Sequence, residues 1–325
     1  VLKKKKKAMK VIDIINRAQS TLFTFELLPP LKGASFSEIE ETIEPLVHYA
    51  PSYINVTYHR PEVVLKEQPS GLLERRIIKK RPGTVGVSAG IKYKYGIDVV
   101  PHLICGSFTR EETEDALIDL NFLGIDNVLA LRGDAEKGAK SFQSEPGGNK
   151  LAIDLVKQVN GLNHGKYVDP ETPHIHQTDF CIGVAGYPEK HSEAPNLETD
   201  LLNLKAKVDA GAHYIVTQMF FDNQKFFQFV EQCRAIGINV PIIPGIKPIS
   251  MKKHLTMLPQ IFHIDLPQDL VEAVGRCKNN EEVRQVGVEW GIAQSKELKE
   301  AGVPVLHYYT MGKPDNIEKI VKEVF

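Results

Sequence analysis

Glu26 sits inside Phe23-Thr24-Phe25-Glu26-Leu27-Leu28-Pro29-Pro30, a carboxylate set among apolar neighbours. An ionised carboxylate is costly to bury without a partner, so such a group is either paired or protonated. Desolvation raises its pKa, which suits a general acid near neutrality; a strand-end Glu bridged to an Arg is the alternative. Leu131-Arg132-Gly133-Asp134 places a cation and an anion around a glycine. Arg can fork onto phosphate or carboxylate, Gly lets the backbone approach a flat ligand, and Asp can bond heterocyclic nitrogens. An Arg and Asp closing a turn account for the tripeptide equally well. Tyr187-Pro188-Glu189, with His191 and Ala194 after it, could stack on and hydrogen-bond a cofactor or simply pack a loop. Gln218, followed by Met219, Phe220 and Phe221, offers an amide to a pterin-like edge or to backbone at a rim. His174 and His176 resemble a metal pair, but no third ligand stands at a clear spacing, so no metal is expected.

Such scattered groups act together only if a scaffold gathers them. Eight short apolar runs, at 22–26, 53–59, 99–105, 127–134, 180–187, 214–218, 241–247 and 303–309, recur along the chain, and most end in a polar or ionisable residue. Rich in Val, Ile, Phe and Tyr, they suit strands buried on both faces of a parallel sheet. Eight strands alternating with helices predict an α/β fold, a (β/α)8 TIM barrel whose strand C-termini share one catalytic face. Glu26, Thr57, His59, His102, Asp134, Tyr187, Gln218 and Tyr309 would then meet at one mouth.

The intervening segments read as helices. Ser37-Glu38-Ile39-Glu40 and Thr109-Arg110-Glu111-Glu112 both have capping-box spacing, and Gly124 is placed to end the second helix. Leu197, Leu201, Leu204 and Val208 form one stripe for the barrel wall. Asp200, Asn203 and Lys207 fall within about 60° of one another beside that stripe, where a flank could meet a ligand or simply be solvated. Residues 60–98 and 135–149 read as long βα-loops, 160–179 as an irregular excursion, and 267–300 as helical throughout, with an extra helix before the last strand.

At 325 residues, 42% hydrophobic and 25% charged, the chain can bury the core of one barrel. A formal net charge of -1 leaves no global field to attract nucleic acid or an anionic membrane, so neither is an expected partner. Residues 1–10 read as a basic tail and 11–325 as the barrel domain. The Lys3 to Lys7 block is either a solvated tail, which is preferred, or an arm touching RNA or acidic lipid. Cys105, Cys181, Cys233 and Cys277 form no C-x-x-C pair and read as reduced and buried. With no apolar stretch of about 20 residues and no secretory signal, a cytoplasmic protein is expected.

The segments around these residues, taken in order, resemble methylenetetrahydrofolate reductases. The similar stretches include Phe25-Glu26-Leu27-Leu28-Pro29-Pro30, Val56-Thr57-Tyr58, Pro101-His102-Leu103, Leu131-Arg132-Gly133-Asp134, Tyr187-Pro188-Glu189, Asp200-Leu201-Leu202-Asn203, Thr217-Gln218, Ile243-Pro244-Gly245-Ile246 and His307-Tyr308-Tyr309-Thr310. They run from the first strand to the eighth. The resemblance implies a barrel that binds FAD at its mouth and reduces 5,10-methylenetetrahydrofolate to 5-methyltetrahydrofolate with NADH or NADPH. Hydride would pass through the flavin in ping-pong order and supply methyl groups for methionine synthesis.

Carried over residue by residue, Glu26 becomes the acid that assists opening of the imidazolidine ring. Asp134 lies by flavin and pterin, Gln218 bonds the pterin, and Thr57 matches a nicotinamide-side contact. Tyr58, His102, Arg132, Gly133, Tyr187, His191, Ala194, Asp200, Asn203 and Lys207 match positions that hold FAD. Three substrate-side positions depart from the pattern: Leu258 replaces a stacking aromatic of some bacterial relatives, His254 a frequent Gln, and Lys313 an Arg that meets the folate tail. Ala206 replaces a basic residue beside Lys207. The resemblance further implies a homo-oligomer. Since nothing follows residue 325, it implies no C-terminal region like that of the long eukaryotic forms and no inhibition by S-adenosylmethionine through one. An alternative keeps the barrel but takes electrons from a partner protein.

Overall fold

Parallel strands buried on both faces, each returned by a helix, close the sheet on itself. The computed structural model describes residues 9–135, 139 and 141–325. The chain opens with α1 (Val11–Arg17), β1 (Leu22–Leu27), α2 (Ser37–Val47) and β2 (Ile54–Val56). A hairpin of β3 (Glu62–Glu67) and β4 (Leu73–Ile78) follows, then α3 (Thr84–Tyr95), β5 (Val99–Ile104), α4 (Arg110–Phe122) and β6 (Asn127–Leu131). Next come α5 (Ala152–Asn163), β7 (Cys181–Gly186), α6 (Leu197–Asp209), β8 (Tyr214–Met219), α7 (Asn223–Ala235) and β9 (Ile242–Ile246). The last part holds α8 (His254–Phe262), α9 (Gln268–Arg276), α10 (Asn280–Glu300), β10 (Val305–Tyr309) and α11 (Asp315–Val324).

The barrel runs β1-β2-β5-β6-β7-β8-β9-β10 and back to β1. All eight expected strands are in it, and every pair is parallel. Side chains alternate across the sheet. On β1, Phe23, Phe25 and Leu27 pack outward in the core beneath the helices, which turns Thr24 and Glu26 inward. A second core fills the barrel from Tyr53, Val100, Leu129, Cys181, Tyr214, Val216, Ile243 and Val305. Val11, Ile14 and Ile15 of α1 belong to it, so α1 plugs the N-terminal end. Asn127 ties the plug down: its Oδ1 accepts from the Val11 amide at 2.8 Å and its Nδ2 donates to the Met9 carbonyl at 3.0 Å. The four cysteines are free and buried.

Some local expectations are met and others are overridden. Thr109 and Glu112 form the full capping box, and Gly124, at φ +63°, follows the end of α4. Ser37, however, lies inside α2, whose cap position is Phe36 with no side-chain capping bond. The Phe36 ring lies so close to Gly90 of α3 that a Cβ there would collide with it, and the Ser37 amide donates to Ser35 Oγ. Residues 60–98 are not simply a loop: they hold the β3–β4 hairpin as well as α3. Residues 267–300 break at Asn279, whose Oδ1 caps α10 by accepting from the Glu281 and Glu282 amides. Lys3 to Lys7 lie outside the described residues. Among the described residues no helix is long and apolar enough to cross a membrane.

Candidate active site at the barrel mouth

The inward positions at the strand C-termini carry polar groups that the core below cannot satisfy. Glu26 pairs in register with Tyr309 on one side and Asn55 on the other, which sets three polar side chains on one tier. Only 15% of the Glu26 side chain is exposed, and burial pushes its pKa up to about 8 against the opposing pull of Lys247. His102 Nε2 lies 3.8 Å from Glu26 Oε2 and 3.4 Å from Asn55 Oδ1. Burial, helped by His307 and His59, drops the His102 pKa to about 3. The contact between His102 and Glu26 therefore joins two neutral groups at pH 7 and is no ion pair.

Further inward positions complete the mouth. His307 is buried, with a pKa lowered by burial to about 3 and its Nδ1 unbonded, and its ring meets Tyr309 edge-on at 5.1 Å. The Tyr309 hydroxyl donates to the Thr217 carbonyl at 2.7 Å. A Cβ at Gly245 would strike both that carbonyl and the Tyr309 ring, so only glycine lets the ring lie there. Thr57 is buried with its hydroxyl unbonded, and Gln218 Oε1 accepts from the Met219 amide at 3.0 Å. Lys247 follows β9 and is buried; desolvation lowers its pKa to about 8, opposed by Glu26.

A second cluster forms the rim after β6 and β7. Arg132 forks onto Glu193 at 2.5 and 2.7 Å and lies 5.1 Å from the Phe142 ring centroid. The fork uses two of its five N–H donors. Gly133 sits at φ +84°, a conformation that penalises a side chain, and brings bare backbone to the rim. Asp134 is exposed, and its carbonyl accepts from Arg60 at 3.1 Å. The Tyr187 and His191 rings meet edge-on at 4.7 Å, the His191 amide donates to Asp200 Oδ2 at 2.9 Å, and the Ala194 amide to the His191 carbonyl at 3.0 Å. Lys207 Nζ donates to the Ala185 carbonyl at 2.7 Å, and desolvation lowers its pKa to about 8 against Asp200. Asn203 lies exposed on the same helix. The Tyr58 ring packs on Phe108 at 5.1 Å.

The three remaining substrate-side positions lie on α8 and in the loop after β10. Leu258 is fully buried in a satellite core with Met219, Phe221 and Leu270. His254 is buried, accepts from the Ser250 amide at 3.2 Å, and is held to a pKa of about 4 by burial and by Lys247. Lys313 is exposed in the loop after β10. His174 and His176 are exposed, and among the described residues no group of three or more His, Cys, Asp or Glu could hold a metal. Asn55, Lys247 and His307 are site residues that sequence reasoning passed over. Lys247 carried the same signal as Glu26, an ionisable residue ending an apolar run.

The geometry agrees with what the chain is similar to. A family model described as methylenetetrahydrofolate reductase matches residues 10–324. A Salmonella typhimurium protein named 5,10-methylenetetrahydrofolate reductase is 32% identical over 293 residues, covering 90% of this chain and 86% of its own. A rice protein, Oryza sativa subsp. japonica, named probable methylenetetrahydrofolate reductase (NADH), is 32% identical over 324 residues, 96% of this chain and 49% of its own. The chain thus spans about half the length of that relative. In fold it is similar to a solved structure of a Clostridium thermocellum protein described as uncharacterized and binding two copies of 5-methyl-5,6,7,8-tetrahydrofolic acid. That likeness has a TM-score of 0.57 at 16% identity and covers 96% of each chain. From the family match along almost its whole length, read with a closed parallel barrel, the chain belongs to the methylenetetrahydrofolate reductase family.

Proposed function

We propose that the barrel mouth reduces 5,10-methylenetetrahydrofolate to 5-methyltetrahydrofolate, with FAD bound there and NADH or NADPH as electron donor. The observation that carries this reading is Glu26, a desolvated carboxyl at the centre of the mouth with a pKa of about 8. Such a group is protonated at neutral pH and can release its proton to a nitrogen as the imidazolidine ring opens.

The residues present fit a flavin dinucleotide. The buried Thr57 hydroxyl lacks a partner, and Gly133 offers backbone without a Cβ. Lys207 is a cation whose one hydrogen bond among the described residues goes to a carbonyl, with no carboxylate within 4.0 Å. Thr57, Tyr58, His102, Gly133, Asp134 and Tyr187 would hold the ring portion, while Arg132, His191, Ala194, Asp200, Asn203 and Lys207 would hold the rest. When bound, FAD supplies a two-electron carrier that lets nicotinamide and folate use the site in turn, and the methyl group formed serves methionine synthesis. Glu26 delivers the proton, neutral His102 and His307 place no competing charge beside it, and Gln218 and Asp134 hold the pterin.

Purified protein loaded with FAD tests this anaerobically. NADH or NADPH should bleach the flavin band near ~450 nm, a property of the cofactor, and methylenetetrahydrofolate should restore it. In Glu26→Gln the folate step should fall by about 10²- to 10⁴-fold, the usual range for a general acid, while the nicotinamide step falls far less. Equal loss of both steps removes Glu26 from the acid role, and failure to take up FAD overturns the reading.

A further inference from the structure

Lys247 is a buried residue whose ammonium has no protein partner among the described residues. It is 7% exposed, and among the described residues its Nζ makes neither a hydrogen bond nor an ion pair within 4.0 Å. Register fixes its neighbours. Tyr308 pairs with Ile246, so Lys247, one residue on, stands level with Tyr309, which itself pairs with Glu26. Glu26, Tyr309 and Lys247 thus form one inward tier on β1, β10 and the end of β9. Backbones two strands apart are separated by roughly 10 Å, a gap that the four-carbon Lys stem largely spans.

We propose that Lys247 is a positioning residue for the Glu26 proton: its ammonium, two strands away on the same tier, sets how tightly the carboxyl holds the proton that the mouth delivers. This deepens the proposed reduction and rests on it for its catalytic consequence alone. The surrounding groups leave the role to Lys247. Beside Glu26 are His102 from β5, Tyr309 from β10 and Lys247; His307 from β10 lies beside His102, and His254 from α8 beside Lys247. The three histidines are neutral above pH 5, with values near 3, 3 and 4, and burial keeps Tyr309 protonated. Lys247 is therefore the cation of the set. Desolvation alone would make Glu26 a poor acid by holding its proton too firmly, and a cation on the same tier weakens that hold.

The experiment reads both partners directly. Protein labelled with ¹³C at the Glu side-chain carboxyl, with Glu26 assigned by its loss in Glu26→Gln, is titrated by NMR. Lys247→Met should raise the Glu26 midpoint by about one pH unit or more, and Lys247→Arg should return it toward the native value. The coupling is mutual, so in ¹³Cε-lysine protein Glu26→Gln should lower the Lys247 midpoint by a similar amount. A Glu26 midpoint unmoved in Lys247→Met overturns the proposal. Should that variant fail to fold, an unmoved Lys247 midpoint in Glu26→Gln overturns it instead. Neither titration involves folate, so both stand apart from the proposed reduction. In Lys247→Met the alkaline limb of the folate step should move up with the Glu26 midpoint. A limb that stays while the midpoint moves counts against Glu26 as the acid and leaves the coupling intact.

Discussion

Desolvation by the same barrel wall acts in opposite directions on its acids and bases. It keeps the Glu26 carboxyl protonated and strips His102 and His307 of charge, because the neutral form of each loses least on leaving water. The mouth is thus polar, with Lys247 its cation among neutral Glu26, His102 and His307. Lys207 differs, being a cation at the rim bonded to a carbonyl oxygen. An ammonium so placed gains from an anionic ligand, and charge-assisted hydrogen bonds are worth roughly 1.5–3 kcal/mol. Lys207→Met should therefore weaken FAD binding by about tenfold or more in a fluorescence titration. Unchanged affinity removes Lys207 from the flavin cradle.

Elements decide what closes the other end. Helix α1 is only 7 residues long, too short to stand alone in water, and its order comes from burying Val11, Ile14 and Ile15 in the barrel. Asn127 is its polar anchor. Asn127→Ala would leave the Val11 amide and the Met9 carbonyl unpaired, at a cost of about 1–3 kcal/mol in urea unfolding. A loss below about 0.5 kcal/mol would show that packing alone seats the helix. The hairpin after β2 was hidden in the sequence because Arg75, Arg76, Lys79 and Lys80 mask the β-branched pairs. Its turn signal, Gln68-Pro69-Ser70-Gly71 with Gly71 at φ +79°, was available.

The whole molecule sums these titrations. His102, His307 and His254 have folded-state values near 3, 3 and 4, below the ordinary 6.5, so the unfolded chain binds more protons between these limits. Their contribution to stability is complete above pH 6.5 and is lost as pH falls, at roughly 1.4 kcal/mol per unit for each. Glu26 runs the other way. Raised from 4.5 to about 8, it favours the fold below 4.5 and loses that contribution as pH rises to 8. From pH 4.5 to 6.5 three histidines outweigh one carboxyl and stability climbs; from 6.5 to 8 Glu26 makes it decline. Denaturant titrations across pH should show a crest near 6.5, and Glu26→Gln should flatten the decline above it. A decline that persists unchanged in the variant would show that Glu26 is not its source.

Periodicity and composition were enough for the eight strands and the barrel, because strands buried on both faces must be continuous apolar runs. Thr109 and Glu112 were legible for the same local reason, since a capping box lies within four residues. Ser37 had the same spacing but lies inside α2, after a Phe36 that packs on Gly90 of a helix far along the chain. Lys247 and His307 were visible as residues but not as neighbours of the Glu26 tier. The register of β9, β10 and β1 is set by barrel closure, and only that closure brings an ammonium, an imidazole and a carboxyl from distant segments into one desolvated space.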